Sequence, residues 1–142
     1  MLKITVREAF EGTIDTTNHY LYLYRDGETI FYIGRSTCPL ERLQEHVGMG
    51  AYNRHTSRLG ALILAHLPQS LLWQIELRTV AECDVLVYRY RPEYYAWYLQ
   101  QISKNIVREA TEVAEEVLIE HYRPCLNVMG NRQRQALPER YR

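Results

Sequence analysis

Along Tyr20-Leu21-Tyr22-Leu23-Tyr24 the apolar and polar-tipped side chains alternate with a period of two, and Thr29 to Ile33 is a second β-rich run beyond Asp26-Gly27. Alternation of this kind puts successive side chains on opposite faces of a strand, so the two runs predict a hairpin. The turn fixes which side chains share a face, because a one-residue slip moves every side chain across the sheet. With Asp26-Gly27 as a two-residue turn, Tyr22 lies opposite Phe31 and the faces are mixed. With Arg25-Asp26-Gly27 as a three-residue loop and Gly27 left-handed, Tyr24 pairs with Glu28, Tyr22 with Ile30 and Tyr20 with Tyr32. The second register gathers Leu21, Leu23, Phe31 and Ile33 on one face and the tyrosines on the other. It is the register predicted here, with Tyr22 and Tyr32 pointing the same way.

Elsewhere the pattern gives a short leading strand through Leu2, Ile4 and Val6, then a loop from Gly12 to Asn18. Ser36-Thr37-Cys38-Pro39 reads as a helix start, with a hydroxyl cap and proline in the first turn, running toward Gly48. Asn53 is placed to cap a second helix through about His66, ended by Pro68, and Leu71 to Val80 reads as a third strand. Residues 81–90 fit either helix or strand. Pro92 opens a long helical region through Tyr122, and Pro124 ends it. The fold class expected is α+β in α/β/α layers, with a small, mainly antiparallel three-stranded central sheet flanked by helices.

A length of 142 residues suits one domain with a single core. The expected organisation is one unit over 1–142, with a catalytic core at about 19–128 and a basic arm at 129–142. Hydrophobic content of 46% and charged content of 24% exclude a disordered chain. The first residues lack a signal-peptide core, and Leu59 to Leu67 is too short to span a membrane, so no membrane partner is expected. Cys38, Cys83 and Cys125 fall in no metal-binding or disulfide spacing, which favours a cytoplasmic setting. CxxC, HExxH, Walker and GxGxxG motifs are absent from the chain, so no organic cofactor is expected. Net charge is +0. Its distribution is uneven, with Glu109, Glu112, Glu115, Glu116 and Glu120 in one stretch and Arg132, Arg134, Arg140 and Arg142 in the tail.

Arg42 and His46 are four residues apart on the expected first helix and share a face. The short connection from Gly34 to Pro39 brings that face beside Tyr32, so tyrosine, arginine and histidine gather. By themselves Arg42 and His46 are more often a solvated helix face, and Tyr22 and Tyr32 more often a packed aromatic pair. In sequence order they do more: Tyr20-Leu21-Tyr22, then Tyr32-Ile33-Gly34, Arg35, Arg42, His46 and finally EEVLIEHYRPCLN with Glu115, Leu118, Ile119, Pro124 and Asn127. With this ordered set the chain resembles the GIY-YIG nucleases over roughly residues 20–127, with Tyr20 in place of the first motif's glycine. Residues 81–111 are longer than a minimal member needs and are expected to be an insertion serving DNA contact or dimerisation.

The resemblance implies a metal-dependent DNA endonuclease that hydrolyses a phosphodiester bond. It makes Glu115 the ligand of Mg²⁺, with Mn²⁺ as a substitute, Arg42 the transition-state stabiliser and Arg35 a phosphate contact. Tyr22 becomes the general base, helped by Tyr32 and activated by the cations Arg42 and Arg35, unless the metal activates its own water and the tyrosines only position groups. His46 then assists Tyr22, contacts phosphate or makes a structural hydrogen bond, and Asn127 fixes backbone. Arg35, Arg54, His55 and Arg58 are candidate nucleic-acid contacts. The expected partner is DNA, and a homodimer would let one active site per chain cut both strands. A noncatalytic nucleic-acid binding module of the same fold, or an RNA-directed nuclease, is the alternative.

Overall fold

Thr5 ends the first strand and starts the first helix in one step. Its hydroxyl accepts from the Glu8 amide, and the Glu8 carboxylate accepts from the Thr5 amide, a reciprocal cap. The computed structural model describes residues 1–50 and 55–142. In chain order the elements are β1 (Leu2–Thr5), α1 (Val6–Glu11), β2 (Leu21–Asp26), β3 (Thr29–Arg35), α2 (Pro39–His46), α3 (Arg58–Ala65), β4 (Gln74–Arg78), α4 (Asp84–Tyr90), α5 (Tyr95–Ser103) and α6 (Arg108–Tyr122). The chain is α+β: the strands form one antiparallel sheet in the order β1-β4-β2-β3. It has four strands rather than three, because the leading strand joins the sheet at the edge of β4. No helix among the described residues is long and apolar enough to cross a membrane.

Both faces of the sheet are buried, which produces the layered arrangement. On one face Tyr22, Tyr24, Ile75 and Leu77 pack with Val6 and Ala9 of α1, Leu43 of α2 and Leu59 and Ile63 of α3. On the other, Leu21, Leu23 and Ile33 pack with Val87 of α4, Tyr98 of α5 and Ala114, Val117 and Leu118 of α6. The second face also holds a buried ionic group. Glu76 accepts from Arg25 at 3.0 Å and from Arg78 at 2.9 Å, and Arg78 also donates to the Tyr122 hydroxyl. A charge this deep is tolerated only with its partners in place.

The hairpin register differs from both readings of the sequence. Asp26 pairs with Thr29 across a Gly27-Glu28 turn in which Gly27 has φ +55°, and Arg25 pairs with Ile30. The register then shifts, so that Tyr24 pairs with Tyr32, Leu23 with Ile33 and Tyr22 with Gly34. Phe31 is the extra residue of a β-bulge, and the bulge moves it to the tyrosine face while Ile30 joins the leucines. Tyr22 and Tyr32 still share a face, now as a diagonal pair with ring centroids 6.2 Å apart.

Several elements have different limits from those expected. Helix α2 begins at Pro39, but its Cys38 cap makes no side-chain bond; Ser36 Oγ accepts from the Cys38 amide instead. Helix α3 begins at Arg58 with Ser57 as its cap, and the expected cap Asn53 lies outside the described residues. Residues 84–90 are helical, and the single long helix after Pro92 is two, broken where Asn105 takes φ +56°. The 81–111 stretch supplies core: Tyr98 is fully buried and donates to the Val80 carbonyl at 2.6 Å, whereas Tyr94 is exposed. The C-terminal arm is not confined to the surface, because Tyr141 is buried against Phe31 and Trp73.

Candidate active site

Two glycines permit the close approaches on which one half of the site depends. A Cβ on Gly34 would overlap the Tyr22 phenol, so only glycine lets the Tyr22 ring lie across β3. A Cβ on Gly60 would overlap the His46 carbonyl, so only glycine lets the start of α3 sit against the end of α2. Between them runs a chain of contacts. Tyr22 Oη and His46 Nε2 are hydrogen-bonded at 3.1 Å, and His46 Nδ1 and Ser57 Oγ at 2.7 Å. Ser57 Oγ in turn accepts from the Gly60 amide at 3.0 Å. Tyr32 places its ring 5.4 Å from that of His46, edge to face.

Burial dominates the electrostatics here. Tyr22 is 3% exposed and His46 2%. Desolvation and the neighbouring Tyr32 push the Tyr22 phenol well above its ordinary value, and the Arg42 guanidinium opposes this without reversing it. The expected cationic activation of Tyr22 is therefore corrected: its resting form is the phenol. Desolvation first and Arg42 second push His46 down to about 4, so the imidazole is neutral near pH 7. A neutral ring has one donor and one acceptor nitrogen, and it ties Tyr22 to Ser57 whichever nitrogen carries the proton. Arg42 itself holds Glu45 at 2.6 Å.

The other half lies on the opposite side of β3. That strand is a sheet edge, and the segment after α6 covers part of it: the Cys125 amide donates to Ile30 and the Leu126 amide to Phe31. The Asn127 side chain completes the cover, accepting from the Ile33 amide at 2.9 Å and donating to the Ile33 carbonyl at 2.8 Å. This pairing ends at Ile33. Arg35, two residues on, donates to Glu112 at 3.0 Å and Glu115 at 3.4 Å on α6. Tyr32, Arg35, Glu115 and Asn127 line one cleft of about 660 Å³. Burial pushes the Glu115 carboxyl above its ordinary value, Arg35 opposes this, and Glu116 and Glu112 add to the rise.

The residues expected from sequence thus fall into two groups across β3. Tyr22, Arg42 and His46 lie on the sheet face covered by α2, Arg35 and Glu115 lie beside α6, and Tyr32 and Asn127 sit between. His55 and Arg58 are exposed on either side of Ser57, and Arg54 lies outside the described residues. Sequence reasoning missed Ser57, Gly60 and Glu112. Ser57 carried a signal, a serine directly before the apolar run of α3. The partnership of Glu112 carried none, since it depends on where β3 ends.

Among the described residues no three His, Cys, Asp or Glu side chains converge on a metal position. Glu115 nevertheless suits Mg²⁺, which usually takes one or two carboxylates and fills its remaining positions with water and substrate phosphate. Glu115 lines the cleft, and its raised proton affinity comes chiefly from burial, against which Arg35 acts. Compared with known proteins, the chain matches no family model, no curated protein and no solved structure.

Proposed function

We propose that the protein is a metal-dependent endonuclease acting on DNA, the activity implied by the resemblance of its ordered motifs to the GIY-YIG nucleases. The observation that carries this reading is the placement of the buried Tyr22–His46 pair beside Arg42 and of the cleft-lining Glu115 beside Arg35 on the two sides of one edge strand, with Tyr32 between them. A neutral buried histidine joined to a phenol beside an acidic cleft is the kind of perturbed pair that functional sites gather.

The scissile phosphate is taken to sit between Tyr32 and Glu115. Glu115 would hold a divalent cation, which would supply Lewis-acid neutralisation of the phosphate charge. Arg35 exchanges its carboxylate partners for a phosphate oxygen, and Arg42 stabilises the charge that builds in the transition state. The Tyr22 phenol passes its proton to His46 Nε2 as it takes one from the attacking water, so no free tyrosinate has to persist. The arriving anion favours this by raising the proton affinity of His46. Free thiols at Cys38, Cys83 and Cys125 fit the reducing cytoplasmic setting that belongs to this reading.

Supercoiled plasmid with Mg²⁺ tests it. Wild-type protein should give nicked product; Arg42→Ala should lower the rate by roughly 10²–10³-fold, and Glu115→Ala and Tyr22→Phe should be similarly impaired. Absence of product with either Mg²⁺ or Mn²⁺, or equal product from all four proteins, would defeat the proposal.

A further inference from the structure

A second concavity, of about 950 Å³, adjoins the cleft beside Glu115 and shares Arg91, Glu120 and Gly130 with it. Its walls come from the end of α4, the end of α6 and the segment after Asn131. Four arginines, Arg89, Arg91, Arg123 and Arg132, face a single carboxylate, Glu120, which Arg91 already binds at 2.8 Å. Among the described residues Arg89, Arg123 and Arg132 make no ion pair, and all three are exposed. The chain's neutral total charge hides this local excess.

We infer that this second concavity is a phosphate-binding channel, which carries the backbone of the nucleic-acid strand onward from the scissile position. The inference rests on the nuclease reading for its direction, but its chemistry stands on the arginines. Guanidinium groups hold phosphate oxygens through paired N–H donors and supply strong, sequence-independent binding. The adjacent histidine reports the same field: burial, Arg89 and Arg78 all push His121 below its ordinary value. The C-terminal end of α6 opposes an anion with about half a negative charge, less than the three unpaired arginines provide. The channel is also fixed in place relative to the cleft. Asn131 donates to the Pro124 and Asn127 carbonyls at 2.7 and 3.0 Å, which ties the arginine-bearing segment to the residue that closes the edge of β3.

The test uses Glu115→Ala protein, which leaves a strand uncut, and the anisotropy of a labelled single strand of about 16 nucleotides across a salt series. Adding Arg89→Glu, Arg123→Asn and Arg132→Glu together should weaken binding at least tenfold and reduce the log–log salt slope by about 2. Arg123→Lys alone should bind nearly as the parent does. Unchanged affinity and slope in the triple variant would overturn the channel and leave plasmid nicking by the wild type untouched. Competition by inorganic phosphate as strong as that by the strand would overturn it in favour of a lone-anion pocket. A parent that binds no strand at any salt would overturn both the channel and the nuclease reading. Absent nicking combined with binding that the triple variant loses would support the channel on a protein that binds without cutting.

Discussion

At His46, burial and charge act in the same direction. Desolvation and the nearby Arg42 both disfavour the imidazolium, and Glu45 only partly offsets them, so the folded protein holds the ring neutral down to about pH 4. The unfolded chain protonates it near pH 6.5. Between those two values the unfolded state binds more protons, so stability falls as pH falls through the window, by on the order of 2 kcal/mol for this one group. Other groups also titrate on acidification: Glu82 and Asp15 are held below their ordinary values, chiefly by hydrogen bonds from Thr79, the N-terminus and Thr17. The contribution of His46 is therefore read as a difference. Urea midpoints at pH 7 and 4.5 should show His46→Gln losing clearly less stability on acidification than the wild type. An equal loss in the two proteins would mean that His46 is not held neutral.

At the scale of the hairpin, the sequence shows the strands and the shared face of Tyr22 and Tyr32 but not how they are paired. Register is pinned where one face is wet and the other dry, because a slip then exposes the apolar set. Here both faces are buried, and Ile30 and Phe31 suit either one, so a bulge that exchanges them leaves no mark in the hydrophobic pattern. The structure reveals instead a demand on Gly34. Ring and backbone meet there so closely that Gly34→Ala forces the Tyr22 side chain to move, an overpacking cost of about 1–3 kcal/mol. Tyr22→Ala removes the obstructing ring. A double-mutant cycle by urea unfolding should thus show strong coupling, with the double variant more stable than the sum of the single effects allows. Simple additivity would show that the ring and the glycine do not oppose each other. Plasmid nicking should fall with Gly34→Ala alone, since the displaced phenol loses His46.

Over the whole molecule, the candidate site is assembled from distant parts of the chain because the edge strand β3 gathers them. Residues 125–127 pair along its outer edge, and the tail packs behind its bulge. The joining of early and late segments was legible only through the resemblance of the motifs; no periodicity places Asn127 against Ile33. The tail was misread because its arginines suggest a solvated arm, and a single tyrosine among them gives no periodic signal. Yet Tyr141 is 5% exposed, sets its ring edge-on to Phe31 with centroids 4.9 Å apart, and donates its hydroxyl to Asp26 at 2.5 Å. One side chain thereby braces both the bulge and the turn of the hairpin that carries Tyr22 and Tyr32. Tyr141→Ala should cost about 3 kcal/mol in urea unfolding, in the range for deleting a buried aromatic ring. Tyr141→Phe keeps the ring, and should cost about 1 kcal/mol for the lost hydrogen bond. If the alanine variant were as stable as the wild type, the tail would be an arm lying on the surface and the hairpin would hold its shape without it. If it is destabilised as expected, the bulge that turns Phe31 toward the tyrosine face depends on a residue more than a hundred positions away, which neither strand of the hairpin encodes.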